Sequence, residues 1–423
     1  MVDRSGQLDS SSLPSVTRRS LLTGAGGVAV SAPSILKAAK VSKGHIAVIG
    51  AGVFGAWTAH HLRAAGHKVT LIDMAGPAND RASSGGESRM TRAGYGKDAI
   101  YTRMARDSLP QWQALSGLSG LPIFHPCGVL FFSANPDAYF TDSIRVNRAA
   151  GIPIEQLGHA ALQKRFPMID FTGVELGLFE PRFGALMARR AVQTLVKQFV
   201  ADGGALLHAK AAAPGGAGPL TSLQLGDTSI RADRYVFALG PWLGKLFPDL
   251  LAKRIIPTRQ EVFFFAPPDG DARFTPDAMP GWADFNGGDI FYGFPDLEGR
   301  GIKFAHDAHG VVVDPDTQSR NPTREALDEI IAFRDRRFPA LRGARLTESR
   351  VCQYENSSNG DFLIDHHPDI PNVVLVGGGS GHGFKHGPEV GRLAAQLTLS
   401  GGAQKEPRLS LATKGETQNR EVH

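Results

Sequence analysis

The sequence predicts an α/β fold in which a domain with a parallel sheet is joined to a second, α+β domain with a mixed antiparallel sheet. Three observations predict it. Apolar, β-branched runs such as residues 45–49 lead into glycine-rich turns and then into helical patterns, which is typical of parallel strands. The short apolar runs at 263–265, 289–292 and 301–305 instead predict antiparallel strands. Glycine supplies 50 of the 423 residues, well above the typical ~7%, which suits an enzyme with close backbone approaches.

Composition and charge exclude several classes of protein. Hydrophobic residues make up 42% of the chain and charged residues 21%, which is ordinary for a globular protein. The net charge is +5, but the basic residues are spread along the chain rather than clustered, so we expect no nucleic-acid partner. The two cysteines, Cys127 and Cys352, are too few for a disulfide-based fold. Nothing beyond their number supports a bond between them.

The N-terminal segment resembles a twin-arginine export signal. Paired arginines at 18–19 precede a weakly apolar run over 21–30, and cleavage is expected after Ala32. The run is too short and too weakly apolar to span a membrane. We therefore expect an exported, periplasmic protein whose fold begins near Gly44. The alternative is a disordered tail over residues 1–43 on a cytoplasmic protein.

Residues 45–73 predict a dinucleotide-binding βαβ unit. The apolar run 45–49 predicts a buried strand and leads directly into the glycine pattern G-x-G-x-x-G at 50–55. A helical stretch follows and ends at Gly66, and the run 68–72 predicts a second strand that ends at Asp73. The strands, the helix and the acidic residue together make the pattern specific, whereas the glycines alone would also fit a tight turn without a ligand.

Each residue of the glycine pattern has a separate physical role. Gly50 permits the tight turn, Gly52 lets the backbone approach a pyrophosphate, and Gly55 permits close packing of helix on strand. The free N–H groups at the start of the helix face the phosphates, and Asp73 accepts hydrogen bonds from the ribose hydroxyls. The candidate contacts to the dinucleotide are Gly50, Gly52, Val53, Phe54, Gly55 and Asp73. This unit alone does not distinguish NAD from FAD.

Two later segments favour FAD. Residues 234–240 form an apolar run that ends in Ala-x-Gly, and this run predicts another strand returned to the same domain. Near the C-terminus, the run 372–376 leads into a loop with five glycines over 377–383 and then into a helical pattern. Backbone N–H groups of this loop, at Gly381 and Gly383, would stabilise negative charge on a reduced flavin ring. The alternative is a plain connection between a strand and a helix.

Several separated motifs resemble the monomeric sarcosine oxidase family, which includes N-methyltryptophan oxidase and pipecolate oxidase among the FAD-dependent amino acid oxidases. The resemblance covers residues 45 to about 400, and the motifs follow the order of the family. The motifs are the unit at 50–73, GESRMTRAGYG at 86–96, FYGFP at 291–295, GIK at 301–303, VCQY at 351–354, FLIDHHP at 362–368 and SGHGFK at 380–385.

The resemblance implies roles for individual residues. Arg92 and Lys385 match the pair of cations that binds the substrate carboxylate, and a guanidinium beside an ammonium suits that task. Lys303 matches the lysine that activates oxygen, and Cys352 matches the cysteine that forms a thioether to the flavin, so we expect covalent FAD. Lys385 also belongs to the loop expected at the flavin. The alternatives are solvated surface cations and a buried structural cysteine.

Other positions match residues around the same site. The resemblance places Tyr292, Tyr354 and His382 on the substrate side of the flavin, and Ser88 and Arg89 near its ring. Cys127 matches no functional position of the family. His382 and His386 are spaced like metal ligands on a helix, but no third ligand is evident, so we expect no metal.

The sequence departs from the family pattern at three places. Gly85 and Asp307 stand where histidines are common, and the segment 281–286 does not match the apolar strand that covers the substrate. These departures concern the identity of the substrate more than the binding of FAD or of a carboxylate.

The resemblance also implies the domain organisation. An FAD-binding Rossmann-like domain takes 44–125, 185–262 and 348–401, and a substrate domain takes 126–184 and 263–347. Within the second domain, 323–338 predicts an amphipathic helix. We expect the polar tail, 402–423, to be loose from Gly401 onwards.

The function implied is oxidation of the C–N bond of a small secondary amino acid, N-methyl or cyclic, to an imine, with O2 reduced to H2O2. We expect a monomer whose only partners are the amino acid and O2. Two alternatives are a dehydrogenase of the same fold that passes electrons to a quinone or carrier, and a flavin-binding protein without turnover.

Overall fold

The part of the chain that the structure describes contains two large β-sheets, of six and eight strands, and two smaller ones. This computed structural model describes residues 43–286 and 290–419. The predicted twin-arginine signal lies outside the described residues.

The strands, in chain order, are β1 (His45–Ile49), β2 (Lys68–Asp73), β3 (Ser88–Thr91), β4 (Phe124–His125), β5 (Val129–Ser133), β6 (Glu155–Gly158), β7 (Leu176–Glu180), β8 (Gly184–Met187), β9 (Ala205–His208), β10 (Leu223–Leu225), β11 (Thr228–Ile230), β12 (Arg234–Phe237), β13 (Ile255–Phe265), β14 (Gly281–Asp284), β15 (Ile290–Phe294), β16 (Ile302–Asp307), β17 (Leu346–Ser357), β18 (Leu363–His366) and β19 (Val373–Gly377). The α-helices are α1 (Val53–Ala64), α2 (Ala99–Gly117), α3 (Ala138–Ala149), α4 (His159–Arg165), α5 (Ala188–Ala201), α6 (Leu243–Leu246), α7 (Pro248–Leu251), α8 (Arg324–Arg337) and α9 (Gly387–Ser400).

The six-stranded sheet has the order β18-β19-β12-β1-β2-β9. All its pairs are parallel except β18 with β19. The continuous apolar runs of β1 and β19 are explained by this position, because a parallel strand is covered on both faces. Helices α1 and α9 pack so closely that a Cβ atom on Gly391 would lie 2.5 Å from the Cβ atom of Trp57. The predicted βαβ unit, the returning strand and the late strand are therefore confirmed as neighbours in one sheet.

The eight-stranded sheet has the order β17-β13-β16-β15-β14-β5-β7-β6. Along each of its strands, successive side chains point to opposite faces of the sheet. One face is aromatic and is covered by α8, whose Phe333 stacks on Trp282 at 5.7 Å and on Phe291 at 4.3 Å between ring centroids. This packing explains why the predicted helix and the three predicted antiparallel strands form. The opposite face is turned toward the functional site.

The C-terminal segment is packed against the rest of the chain as far as residue 419. Arg408 forms ion pairs with Asp98 at 2.7 Å and with Asp361 at 2.6 Å, and Leu409 is fully buried. Lys414 is also buried and donates to the carbonyl oxygen of Arg408. The expectation of a loose tail from Gly401 is therefore wrong for residues 401–419, because polar composition does not reveal partners such as Asp361 and Asp98, which lie 47 and 310 residues from Arg408.

The predicted division into two domains stays a prediction. The described residues from Lys43 to Asn419 belong to one compact unit, and strands β13 and β17 each cross a predicted border, at 262/263 and 347/348. None of the helices in residues 43–286 and 290–419 is long and apolar enough to cross a membrane.

A buried ion pair ties α8 to the eight-stranded sheet and provides a test of the fold. Arg337 Nε lies 2.7 Å from Asp284 Oδ2, and the two side chains are 8% and 1% exposed. Asp284→Ala should lower the free energy of unfolding by about 3–5 kcal/mol, because it leaves the Arg337 charge buried without its partner. Asp328→Ala removes an exposed pair with Arg324 and should cost less than about 1 kcal/mol. Urea unfolding measures the free energy of unfolding of both variants. Equal losses would contradict the stabilising role of the buried Arg337–Asp284 pair.

Candidate active site

The larger cavity of the site lies at the carboxyl ends of β1, β2 and β12, where open parallel sheets bind ligands. Its volume is about 360 Å³, within the usual range for ligand pockets of about 300–1,000 Å³. Of the predicted cofactor contacts, those that line it are Gly50, Gly52, Val53, Phe54, Asp73, Arg89, Gly381 and Gly383.

The close backbone approaches predicted at Gly50 and Gly55 are present, and the approach of a pyrophosphate to Gly52 stays a prediction. Gly50 has φ +105°, and a Cβ atom there would lie 2.2 Å from the carbonyl oxygen of Ala238. Gly55 packs against Gly50, since its Cβ atom would lie 1.9 Å from the Gly50 carbonyl oxygen, and it does not line the cavity. At Gly52 the nearest atom to such a Cβ is Ser84 Oγ at 3.5 Å. Because Gly52 has no side chain, the cavity extends up to the backbone at the N-terminus of α1.

Asp73 lines this cavity at the carboxyl end of β2. Its Oδ2 accepts a hydrogen bond from the backbone N–H of Ala51 and its Oδ1 accepts one from Ala75, both at 2.8 Å. These bonds fix the carboxylate at the end of β2 and leave further acceptor positions on both oxygens. The donors and acceptors therefore fit FAD: a carboxylate for ribose, the N-terminus of the 12-residue helix α1 for the pyrophosphate, and a glycine loop for the flavin. At this N-terminus the N-cap residue Gly52 has no capping side chain, and the N–H of Val53 donates to Ser84 Oγ at 3.1 Å.

A second, smaller cavity adjoins the first. Arg89, Tyr354, Gly381 and Phe384 line both cavities, so a flavin at this end of the first cavity would border the second. The second cavity has a volume of about 80 Å³, room for about five to eight water molecules. All the side chains predicted to act on the substrate line it, namely Lys303, Arg92, Lys385, Tyr292, His382 and Tyr354.

The inner face of the eight-stranded sheet forms the floor of the second cavity. Lys303, Ala305 and Asp307 alternate along β16 and share one face. Tyr292 of β15 and Val262 of β13 lie opposite Ala305 on its two sides. Neighbouring strands lie about 4.8 Å apart, so side chains of β13, β15 and β16 come together on this face of the sheet.

The edge strand β17 adds Cys352 and Tyr354 to this floor. Cys352 lies opposite Gln260 of β13 in the register, and all three side chains line the second cavity. Neither Cys352 nor Cys127 is in a disulfide. Cys127 lies away from both cavities, and burial raises the pKa of its thiol to about 11.

The two cations of the predicted carboxylate clamp share one tyrosine. The guanidinium carbon of Arg92 lies 4.0 Å from the ring centroid of Tyr95. Lys385 Nζ donates to the Tyr95 hydroxyl at 2.8 Å and to the carbonyl oxygen of His382 at 3.0 Å. Both cations are buried, with exposures of 6% and 5%. Tyr95 therefore fixes the relative position of Arg92 and Lys385 through its ring and its hydroxyl.

A buried carboxylate holds the backbone that carries Arg92. Glu180 accepts hydrogen bonds from the backbone N–H of Ala93 at 2.7 Å and from Asn147 Nδ2 at 3.0 Å. Arg92 in turn donates to the carbonyl oxygen of Gly94. Burial raises the pKa of the Glu180 carboxyl, and these donors oppose the rise. Glu180, the last residue of the distant strand β7, thus fixes the backbone next to Arg92.

Burial also changes the acid–base properties of the lysines. Burial, and then the charge of Arg92, lower the pKa of Lys385 well below its ordinary value. Burial, and then the charge of Arg89, lower the pKa of Lys303 to about 7. Lys303 Nζ donates to the carbonyl oxygen of Ser88 at 3.2 Å. Ser88 reaches the site only through this carbonyl, since it lines neither of the two cavities.

His382 and His386 converge on Tyr95. The Tyr95 hydroxyl lies 3.2 Å from His382 Nδ1 and 2.7 Å from His386 Nε2. In the part of the chain that the structure describes, no group of three or more His, Cys, Asp or Glu side chains is placed to hold a metal ion.

Sequence reasoning missed several residues of the site. Tyr95 stood inside a quoted motif without a role, and Glu180 gave no local signal because it acts across 87 positions. Glu355 lines the first cavity. Burial raises the pKa of its carboxyl to about 7 against the N–H groups of Gly379 and Gly378. Its position directly after the motif at 351–354 did not distinguish it from a surface acid.

The family model described as FAD dependent oxidoreductase matches residues 45–397. The chain belongs to this family. It is an FAD-dependent oxidoreductase, in agreement with the fit of the first cavity.

The relatives point in the same direction. The chain is 30% identical over 370 residues to the monomeric sarcosine oxidase of Streptomyces avermitilis, a match that covers 84% of this chain and 94% of that protein. It is 29% identical over 362 residues to the monomeric sarcosine oxidase of Bacillus sp. (strain B-0618), covering 84% and 92%. It is 28% identical over 360 residues to the N-methyl-L-tryptophan oxidase of Yersinia pestis (strain Pestoides F), covering 82% and 93%.

Solved structures share the fold at lower identity. L-proline dehydrogenase from P. horikoshii superposes with a TM-score of 0.74 at 20% identity, over 87% of this chain and 97% of that one. A modified fructosyl peptide oxidase from Aspergillus nidulans gives 0.77 at 17% identity, over 90% and 96%. The predicted combination of an FAD-binding Rossmann-like domain with an α+β part is confirmed.

Proposed function

We propose that this protein oxidises the C–N bond of a small secondary amino acid to an imine and reduces O2 to H2O2. The observation that carries the proposal is the pair Arg92 and Lys385, two buried cations fixed by Tyr95 in a cavity that adjoins the FAD cavity. Such a pair is suited to one carboxylate. The names of the relatives, sarcosine oxidase and N-methyl-L-tryptophan oxidase, support an N-methyl amino acid.

The substrate carboxylate lies between Arg92 and Lys385. Its negative charge favours the protonated form of Lys385, whose pKa is lowered by burial and by Arg92 in the absence of an anion. Binding of the carboxylate therefore completes an electrostatic arrangement that the protein alone leaves unfavourable. The apolar side chains Phe131, Val262 and Phe285 also line the cavity and help to exclude water from the reacting bond.

When bound, FAD would supply a two-electron acceptor for the hydride of the C–H bond and would pass the two electrons to O2, which takes up two protons to give H2O2. The clamp holds the substrate in one orientation for this step. The substrate reacts as the neutral amine, because a protonated nitrogen has no lone pair to assist loss of the hydrogen. Water then hydrolyses the imine. Lys303, in its protonated form, stabilises the negative charge that develops on oxygen.

Cys352 is the proposed site of covalent attachment of FAD. It is not bonded to Cys127, it lines the second cavity, and Tyr354, two residues on, lines both cavities. A thioether at this position would retain the cofactor outside the cytoplasm, which agrees with the export predicted from the twin-arginine pattern. Export of the protein is part of the proposal.

The first test is an anaerobic titration of the purified flavoprotein with N-methyl and cyclic amino acids, followed by air. We expect a secondary amino acid to bleach the flavin absorption, and air to restore it with formation of H2O2. Arg92→Ala should raise the amine concentration needed for half bleaching at least about tenfold, because the loss of a charge-assisted bidentate contact costs about 1.5–3 kcal/mol. If no amine of the panel bleaches the flavin, the proposed substrate class is wrong.

A second prediction concerns oxygen. Lys303→Met should slow reoxidation by air about 10²–10³-fold and change the rate of reduction much less. Lys253→Met, at an exposed lysine paired with Glu416, is the control. Stopped-flow absorbance separates the two steps. If Lys303→Met slows reduction and reoxidation equally, Lys303 has no specific role in the oxygen step. If air reoxidises the wild-type protein slowly and an artificial acceptor reoxidises it quickly, the protein is a dehydrogenase.

The same lysine predicts a pH dependence. The pKa of Lys303 is lowered to about 7, so its charge is present below that pH and is lost above it. The charged and titratable groups around it are Arg89, Cys352, Glu87 and Arg350. A negatively charged reduced cofactor moves the pKa upward, so the reoxidation rate should fall with rising pH at or above about 7. The Lys303→Met protein should lack this fall.

The covalent link predicts a spectroscopic result. Acid precipitation of the wild-type protein should leave the flavin absorption in the pellet, because a thioether survives denaturation. In Cys352→Ser the flavin should appear in the supernatant, whereas Cys127→Ser should behave as the wild type. Release of free FAD from the wild-type protein would show that Cys352 is not attached.

A further inference from the structure

Glu355 places a buried carboxyl at the wall of the FAD cavity. It follows Tyr354 on β17, lies opposite Pro257 of β13 in the register, and lines the first cavity. The residue is 7% exposed. The backbone N–H of Ser380 donates to its carbonyl oxygen at 3.0 Å. The glycine loop expected at the flavin is thus attached to the strand position that carries this carboxyl.

Three glycines make room for the side chain of Glu355. A Cβ atom on Gly379 would lie 3.2 Å from its Oε1. Cβ atoms on Gly377 and Gly240 would lie 3.4 Å and 3.8 Å from its Oε2. Gly240 and Gly379 also line the first cavity. The carboxyl therefore lies between two glycine-containing turns that border the space for the cofactor.

The surroundings of Glu355 do not compensate a negative charge. Among the residues that the structure describes, none supplies a hydrogen bond to Oε2, although this atom is buried. Burial raises the pKa of the carboxyl to about 7, and the N–H groups of Gly379 and Gly378 are the only opposing effect. The charged side chains that line the same cavity do not act on this pKa; they are Asp73, Arg81, Arg89, Lys210, Lys245 and Asp316. A carboxylate here would be a buried charge without a cation, which favours the neutral acid.

Bound FAD would strengthen this preference. The cofactor fills the first cavity and excludes water from it, and loss of water disfavours the charged form of a carboxyl. The two phosphates of FAD are negative, so a second negative charge on the same cavity is repelled. A neutral carboxylic acid instead has one O–H donor, and FAD carries many acceptor oxygens.

We propose that Glu355 binds FAD as a neutral carboxylic acid, so that loading of the cofactor takes up a proton at this residue. The proton comes from the solvent, and the acid donates a hydrogen bond to the cofactor. The free protein has this acid in its neutral form below a pH of about 7, so FAD binding is strongest there and weakens as the pH rises. The inference concerns cofactor binding and does not depend on the oxidation of an amine.

The test uses the full-length Cys352→Ser protein, in which no thioether can form and FAD is exchangeable. Calorimetric titration of its apoprotein with FAD, in two buffers that differ in heat of ionisation, gives both the Kd and the number of protons taken up. We expect about one proton per FAD at pH 8 and few at pH 6, with a Kd about tenfold higher at pH 8, because the pKa is about 7 before binding and higher afterwards.

Two substitutions in the Cys352→Ser background separate the charge from the hydrogen bond. Glu355→Gln keeps the size of the side chain and an N–H donor but cannot ionise. It should keep the Kd at pH 6 within about threefold and show neither the proton uptake nor the rise at pH 8. Glu355→Met has no donor and should raise the Kd about fivefold at pH 6, the net effect of one lost hydrogen bond.

A third substitution is the matched control. Glu389 is 6% exposed, pairs with Arg392 at 2.7 Å and lines neither cavity. Glu389→Gln should leave the proton uptake and the pH dependence of the Kd unchanged.

Two results of the calorimetry would overturn the inference. If Glu355→Gln takes up as many protons as its parent, the proton binds elsewhere. If FAD binding releases protons or becomes tighter at pH 8, Glu355 acts as a carboxylate that accepts a hydrogen bond.

A second measurement serves any variant whose apoprotein does not fold. The rate of FAD release from the loaded protein on dilution is compared at pH 6 and pH 8. Faster release at pH 8 in the Cys352→Ser protein, but not in Glu355→Gln, is the expected result. The same pH dependence in both proteins would contradict it.

Discussion

The burial of positive charge is the constraint on which the active site depends. Moving a single charge out of water costs several kcal/mol in a protein unless partners compensate it, and here four cations border a cavity of about 80 Å³. The surrounding structure compensates part of this cost. Tyr95 offers a ring to Arg92 and a hydroxyl to Lys385, and the Ser88 carbonyl accepts from Lys303. The lowered pKa values of both lysines show that compensation is incomplete without an anion. In the proposed function the substrate carboxylate supplies this anion, in agreement with the cations that line the cavity.

Each of the two large sheets contributes to a different cavity. The six-stranded parallel sheet ends its strands at the larger cavity, where a helix N-terminus and Asp73 fit a dinucleotide. In the eight-stranded sheet, side chains alternate between two faces. One face packs under α8 through Trp282 and Phe333, and the other carries Lys303 and its neighbours, which line the second cavity. Because a one-residue shift in register would exchange the two faces, the aromatic core beneath also fixes the orientation of the polar side chains above it.

Much of this could be predicted from the sequence where the signal is local. The turn at Gly50 and the carboxylate at Asp73 belong to one short βαβ unit, whose spacing reflects the geometry of a single ligand. The side chains of the second cavity were found only through resemblance to a family, since Arg92, Lys303 and Lys385 lie on three distant segments without a shared period. Tyr95 and Glu180 escaped because their importance lies in contacts with other segments. The loose tail was a wrong expectation for the same reason, since Arg408 meets Asp98 and Asp361 only in the folded chain.

The sequence by itself determined the elements whose causes are near neighbours in the chain: the strand and glycine turn at 45–55, the helix after Thr323 and the apolar strands of both sheets. Only the tertiary structure decided which polar side chains meet. It brought Lys303 and Tyr354 of two strands to one cavity, and it placed two cations on one tyrosine. The physical reason is range. Backbone propensity and hydrophobic periodicity act over a few residues, whereas the compensation of a buried charge depends on whichever segments the packed sheets bring within about 4 Å of it.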